Sequence, residues 1–151
     1  MAQSLVQIYL HLVFSTKDRI PHLKDNTLRD RLHAYMAGTC QKQESPAIQI
    51  GGTEDHVHLF LRMGKSLDAS TLVRELKRDS TKWLKKESPT MDDFQWQRGY
   101  GAFSVSPSHV GAVTDYIKNQ EEHHRQESFQ DEFRRLCSKY MVELDERYVW
   151  G

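Results

Sequence analysis

Apolar and polar residues alternate along LVQIYLHLVF, residues 5–14. Val6, Ile8, Leu10, Leu12 and Phe14 fall on one side and Gln7, Tyr9, His11 and Val13 on the other, the period-two signature of a β-strand. Pro21 interrupts STKDRIPHLKD, which reads as a loop. From Asn26, a candidate N-cap, to about Gln43 the period becomes helical, with Leu28, Leu32, Tyr35 and Met36 recurring. AIQIGGT and HVHLFLRM are two further short strands joined around Gly51-Gly52. A second helix runs from about Asp68 to Lys86 on Leu72, Val73, Leu76, Trp83 and Leu84. After the loop ESPTMDD, FQWQRGYGAFSVS reads as a strand whose glycines mark a bend or bulge. SPSHVGAVTDYIKNQEEHH opens a helix with Ser106 as N-cap and Pro107 in its first turn, on a stripe of Val110, Val113 and Ile117. The amphipathic SFQDEFRRLCSKY and the tail MVELDERYVWG follow, and there is no repeat or low-complexity segment.

The order β-α-β-β-α-β predicts a ferredoxin-like α+β sandwich: an antiparallel sheet with helices on one face, plus extra C-terminal helices. In that topology the first and third strands are central, so HVHLFL lies mid-sheet and the face away from the helices is free to hold a site. A length of 151 residues suits one domain, spanning 1–151.

Composition narrows the class. Hydrophobic residues make up 38% and aromatics 10%, enough for a packed core and too many for a disordered chain. Twenty-one basic residues balance 21 acidic ones, so there is no global basic signature of nucleic-acid binding, although a local stripe can hide in a balanced total. Cys40 and Cys137 are too few and too far apart for a disulfide framework and read as reduced, half-buried residues. The first segment lacks a positive n-region and carries Gln, Tyr and His within its apolar run, which argues against a signal peptide. No stretch reaches the roughly 18 apolar residues of a membrane span. The expected setting is cytoplasmic, without a membrane partner.

Chemistry enters at GGTEDHVHLFLRM, residues 51–63. Residues i and i+2 of a strand share a face roughly 6.5–7 Å apart, so His56 and His58 point together while Val57, Leu59 and Leu61 face the core. Two imidazoles so placed can converge on one metal ion. Two half-exposed histidines on a solvent face fit the same spacing, and eight histidines in 151 residues supply roughly 0.4 such pairs by chance. In TDYIKNQEEHH, Tyr116 and Gln120 stand at i and i+4 on one helix face. Alone, that pair also fits a packed phenol and a solvated amide.

Taken jointly and in this order, HVH and YIKNQ resemble the HUH endonucleases. The whole chain is similar to their smallest branch, the single-tyrosine transposases of bacterial insertion sequences, with domesticated relatives acting at repeated palindromes. YLHLVFSTKDR resembles that family's first strand, except that an aromatic residue usually stands at the place of Asp18. GGTEDHVHLFL matches the histidine strand with its acidic lead-in, WQRGYGAFSVSPSHVGAVTDYIKNQEEHHR the tyrosine helix and preceding strand, and DERYVWG the C-terminus.

The resemblance implies a metal-dependent transposase acting on single-stranded DNA with hairpins. Tyr116 would be the nucleophile that forms a 5′-phosphotyrosine. His56, His58 and Gln120 would hold one divalent ion, and their open coordination suits Mg²⁺ or Mn²⁺ better than a closed structural zinc site. It also implies a homodimer in which the histidine strand of one subunit meets the tyrosine helix of the other. Hairpin DNA calls for a local basic surface, for which Arg74, Lys77, Arg78 and Lys82 on the second helix and Lys17 and Arg19 after the first strand are candidates; each also fits a solvated face. Two further readings stand beside this one: a domesticated hairpin-DNA-binding protein without catalysis, and a metal-dependent hydrolase using water, with Asp55 or His11 completing the coordination.

Overall fold

The computed structural model describes residues 2–151. Four antiparallel strands, β1 (Tyr9–Ser15), β2 (Ala47–Gly52), β3 (His56–Arg62) and β4 (Gly101–Val105), form one sheet in the order β2-β3-β1-β4. β1 and β3 are central, as the α+β sandwich requires. Two long helices, α1 (Asn26–Lys42) and α2 (Ala69–Glu87), cover one face. Leu32, Met36, Leu72 and Leu76 from these helices pack on Leu12, Phe14, Val57, Leu59 and Leu61 from the strands. Asp25, one residue before the predicted cap, closes α1 by accepting from the amides of Thr27 and Leu28, and Asp68 caps α2.

The second face is not free. The C-terminal helices α3 (Val110–Lys118), α4 (Gln120–His123) and α5 (Phe129–Lys139) lie over it. Val13 and Phe103 pack against Phe129, Phe133 and Leu136 of α5, while Phe60 and Val105 pack against Ile117 of α3. Covered on both sides, β3 is buried from His56 to Leu61. Both cysteines are free and fully buried rather than half-buried.

Three predicted elements change at their edges. β1 begins at Tyr9 instead of Leu5: Tyr9 already faces the last residues of its neighbours, Arg62 and Val105, and beyond them the pairing dwindles to the bond from the Met63 amide to the Ile8 carbonyl. β4 is shorter than predicted: Phe94 and Trp96 turn into the helix-side core, leaving Trp96 only a single bridge to Thr16. The predicted tyrosine helix breaks at Asn119 into α3 and α4, preceded by a 3-10 turn at Pro107–His109. No helix among the described residues is long and apolar enough to cross a membrane.

Candidate active site

In the β1–β3 register, Val13 lies opposite His58 and Ser15 opposite His56, so both imidazoles face α3–α5. Each ring is fixed from behind. His56 Nδ1 lies 2.7 Å from an Asp55 carboxylate oxygen, and His58 Nδ1 lies 2.8 Å from His11 Nε2. Asp55 and His11 therefore orient the rings, a role characteristic of the partners of metal-binding histidines. The two Nε2 atoms are left to converge on a single carboxylate.

That carboxylate is Glu132 of α5, which is fully buried. Its Oε1 lies 2.9 Å from His58 Nε2, 3.0 Å from His124 Nε2 and 3.4 Å from His56 Nε2. Gln120 Oε1 completes the group 3.0 Å from His56 Nε2. A buried carboxylate is tolerated only with such partners. Burial opposes its ionisation, but His58, His124 and His56 outweigh it and hold Glu132 far below the usual carboxylate range. Burial alone would lower His56, yet Asp55 and Glu132 raise it to about 9. Burial lowers His58 in spite of Glu132, and lowers His11 further.

These residues fit a divalent ion. The ligand atoms of His56, His58, His124 and Glu132 lie within 4.8 Å of one another. Tetrahedral nitrogen and oxygen ligands at about 2.1 Å from a metal stand roughly 3.4 Å apart, so little movement is needed to admit one. Asp55 and Glu132 favour a proton on His56, and metal binding there would release it.

The same carboxylate reaches the phenol. The Tyr116 hydroxyl donates to Glu132 Oε2, and Arg135 Nη2 donates to the phenol oxygen at 2.8 Å. Burial and the adjacent Glu132 push the Tyr116 pKa up, with Arg135 opposing. His123 stacks on the ring, with centroids 4.5 Å apart. The structure thus brings Tyr116, His56, His58 and Gln120 together within one chain. It adds His124, Glu132 and Arg135, which the sequence reading did not place in the site. Two signals were present. His124 follows Tyr116 and Gln120 at helical spacing, and Glu132 is a charge on the inward stripe Phe129–Phe133–Leu136–Cys137.

The candidate DNA contacts lie elsewhere. α2 packs on the opposite face, so the sheet separates Arg74, Lys77, Arg78 and Lys82 from the histidines. Lys77 is committed internally: its Nζ donates to the carbonyls of Gln97, Arg98 and Gly99 at 2.7, 3.2 and 2.8 Å, and burial lowers it to about 8. Arg78 pairs with Glu75 and Asp79, and Arg74 lies 3.8 Å from Glu75. Lys82 and Lys17 are exposed. Arg19 donates to the Trp150 carbonyl at 2.7 Å, pinning the C-terminal segment to the loop after β1.

A family model described as "Transposase IS200 like" matches residues 4–120. No curated protein matches the chain significantly in sequence. Among solved structures, the chain is similar to a candidate transposase from Deinococcus radiodurans R1, at 20% identity over 80% of this chain and 95% of that one, with a TM-score of 0.61. It is also similar to a REP-associated tyrosine transposase bound to a REP hairpin, at 14% identity over 82% of this chain and 73% of that one, with a TM-score of 0.60. These likenesses agree with the fold described above. The family match ends at Gln120, so His124, Glu132 and Arg135 lie beyond it.

Proposed function

The chain belongs to the IS200-like transposase family, and we propose that it cleaves and rejoins single-stranded DNA with hairpins, using Tyr116 as nucleophile. The observation that carries this reading is Glu132, which contacts the phenol of Tyr116 with one oxygen and the histidine cluster with the other. Tyr116 Oη attacks a phosphorus of the strand; the new O–P bond replaces the P–O3′ bond, leaving a 5′-phosphotyrosine and a free 3′-end. The phenolic proton leaves along the hydrogen bond to Glu132 Oε2 and is passed on to the departing 3′-oxygen, which becomes a hydroxyl. In the reverse step a 3′-hydroxyl displaces the tyrosine, needing no ATP because the phosphotyrosine keeps the energy of the phosphodiester. Arg135, donating to the phenol oxygen, stabilises the phenolate as it leaves.

His56, His58, His124, Gln120 and Glu132 would hold the divalent ion, and this imidazole-rich set favours Mn²⁺ over Mg²⁺. Such an ion polarises a phosphate oxygen as a Lewis acid. The hydrolase reading cannot draw its extra ligand from Asp55 or His11, which bond the Nδ1 atoms behind the rings; His124 and Glu132 would serve it instead, and what favours the nuclease is the contact of Glu132 with Tyr116. Hairpin recognition rests on the family and on the REP-hairpin complex of the similar structure.

The test is an SDS-resistant protein–DNA adduct formed with Mn²⁺ on single-stranded DNA from the ends of the protein's own locus. Adduct is expected from the wild type and lost in Tyr116→Phe and His58→Ala. Cleavage surviving Tyr116→Phe without adduct would return the hydrolase reading, and tight hairpin binding without cleavage the non-catalytic binder. The homodimer belongs to the same proposal. Because each chain brings Tyr116 to its own histidines, mixing the two variants is expected to restore no adduct; restored adduct would mean that helices are exchanged between subunits.

A further inference from the structure

Besides a groove at His124 that includes Glu54 and Glu121, three further cavities meet the candidate site, and they differ in charge. The groove beside Gln120, about 390 Å³, is lined by Asp30, Glu121 and Glu122 as well as by Arg29 and Arg125. The one beside His123, about 420 Å³, includes Glu122 and Glu127. The third, about 470 Å³, lies between the end of β4, α3 and α5, and Tyr116 is one of its walls. No acidic residue lines it, in a chain with 21 of them. Its size falls within the about 300–1,000 Å³ of small-molecule sites.

The lining has two chemistries. Val105 and Leu136 are buried and apolar, and beside them the Tyr140 ring is held by stacking on Phe103, with centroids 4.8 Å apart and planes at 17°. The exposed part carries Arg135 and Lys139. Lys139 makes no ion pair among the described residues and sits 5.5 Å from the centre of the Tyr140 ring. Arg135 uses Nε and Nη2 on Glu127 and Tyr116, while its Nη1 donors have no partner among the described residues. An apolar slot with an aromatic wall and a cationic rim is complementary to a nucleotide, whose base is planar and whose phosphate is anionic.

We propose that this cavity holds one unstacked nucleotide of the DNA strand, next to the phosphate that Tyr116 attacks, with the base against Tyr140 and Leu136 and a phosphate at Arg135 and Lys139. The inference rests on the reading of the site as a single-strand DNA nuclease. It gives the protein a subsite for the bases at the cut, one wall of which, Arg135, Leu136, Lys139 and Tyr140, lies beyond the part of the chain that matches the family. Ala112 lines the cavity from an exposed position on α3, so a large side chain there would fill the slot without entering the core.

The experiment measures binding by fluorescence anisotropy in EDTA, where neither ion nor cleavage contributes. The probes are single-stranded oligonucleotides from the ends of the locus, each with one abasic position stepped across the cleavage point. For the wild type, one abasic position is expected to weaken binding about tenfold, the loss of one stacked base. Ala112→Trp is expected to bind the intact strand about tenfold more weakly and to show no further loss with that abasic probe. Lys139→Glu, a second exposed change, is expected to weaken the intact and abasic probes alike. Wild-type affinity in Ala112→Trp, or an abasic loss that persists in it, would overturn the subsite, as would wild-type binding by Lys139→Glu for its phosphate half. A wild type that binds none of the strands would instead overturn the DNA reading itself, and the subsite with it.

Discussion

Glu132 shows how much one buried residue can organise. Its carboxylate is shielded from solvent, so among the described residues its charge is compensated by His56, His58, His124 and the Tyr116 hydroxyl. Glu132→Gln keeps the shape but removes the anionic ligand. It is expected to weaken Mn²⁺ binding about 10–100-fold by isothermal titration calorimetry, the range in which loss of one supporting group at a metal site falls. Unchanged affinity would remove Glu132 from the ligand set. Glu132→Ala leaves the charge on His56 to Asp55 alone and is expected to cost about 3 kcal/mol, the lower end of the range for breaking a buried pair, in urea unfolding.

At the scale of elements, the site depends on how closely α3 approaches the sheet. A Cβ on Gly51 of β2 would lie 2.3 Å from the Ile117 carbonyl oxygen, a backbone atom that cannot swing aside. Only glycine lets α3 settle there, and α3 carries Tyr116 one residue before Ile117, with Gln120 three residues after it. Gly51→Ala is therefore expected to destabilise the fold by about 1–3 kcal/mol and to reduce adduct formation more than DNA binding, because the nucleophile is lifted from the histidines. Equal adduct rates in variant and wild type would show that α3 is positioned by other contacts. α5 has a comparable dependence on Gly101, where a Cβ would meet the Phe133 ring at 2.7 Å, although a side chain can yield more readily than a carbonyl.

For the whole molecule, buried and half-buried histidines set opposing pH limits. His56, raised to about 9, contributes stability that is complete below its ordinary 6.5 and is lost as pH climbs through about 9. His33 moves the other way: burial, reinforced by Arg29, lowers it to about 4, so its contribution is complete above 6.5 and is lost as pH falls toward 4. His11 and His58, also lowered, act in the same direction as His33. In EDTA, the melting temperature is expected to peak near 6.5 and fall on both sides, on the alkaline side until about pH 8, where the lowered Lys77 begins to offset His56, with His33→Leu flattening the acid limb. Saturating Mn²⁺ should remove the alkaline limb by replacing the proton at His56. A melting temperature that rises steadily to pH 9 in EDTA would contradict the protonated His56.

The strand and helix order, the central place of β3 and the shared face of His56 and His58 were all determined by the sequence itself. Alternation along a strand and spacing along a helix are local geometry, and residues two or four apart have little freedom in where they point. Tyr116 and Gln120 were legible for the same reason. Glu132 and Arg135 were not, because their roles depend on α5 folding back over the second sheet face, a packing decision between segments more than 70 residues apart in the case of His58 and Glu132. Lys77 illustrates the converse: its spacing placed it on a basic helix, but the loop at Gln97–Gly99 closed over it and took its charge for three carbonyls. Only the tertiary structure decided which polar groups were buried together, because burial is a property of what covers a residue and not of the residues beside it in the chain.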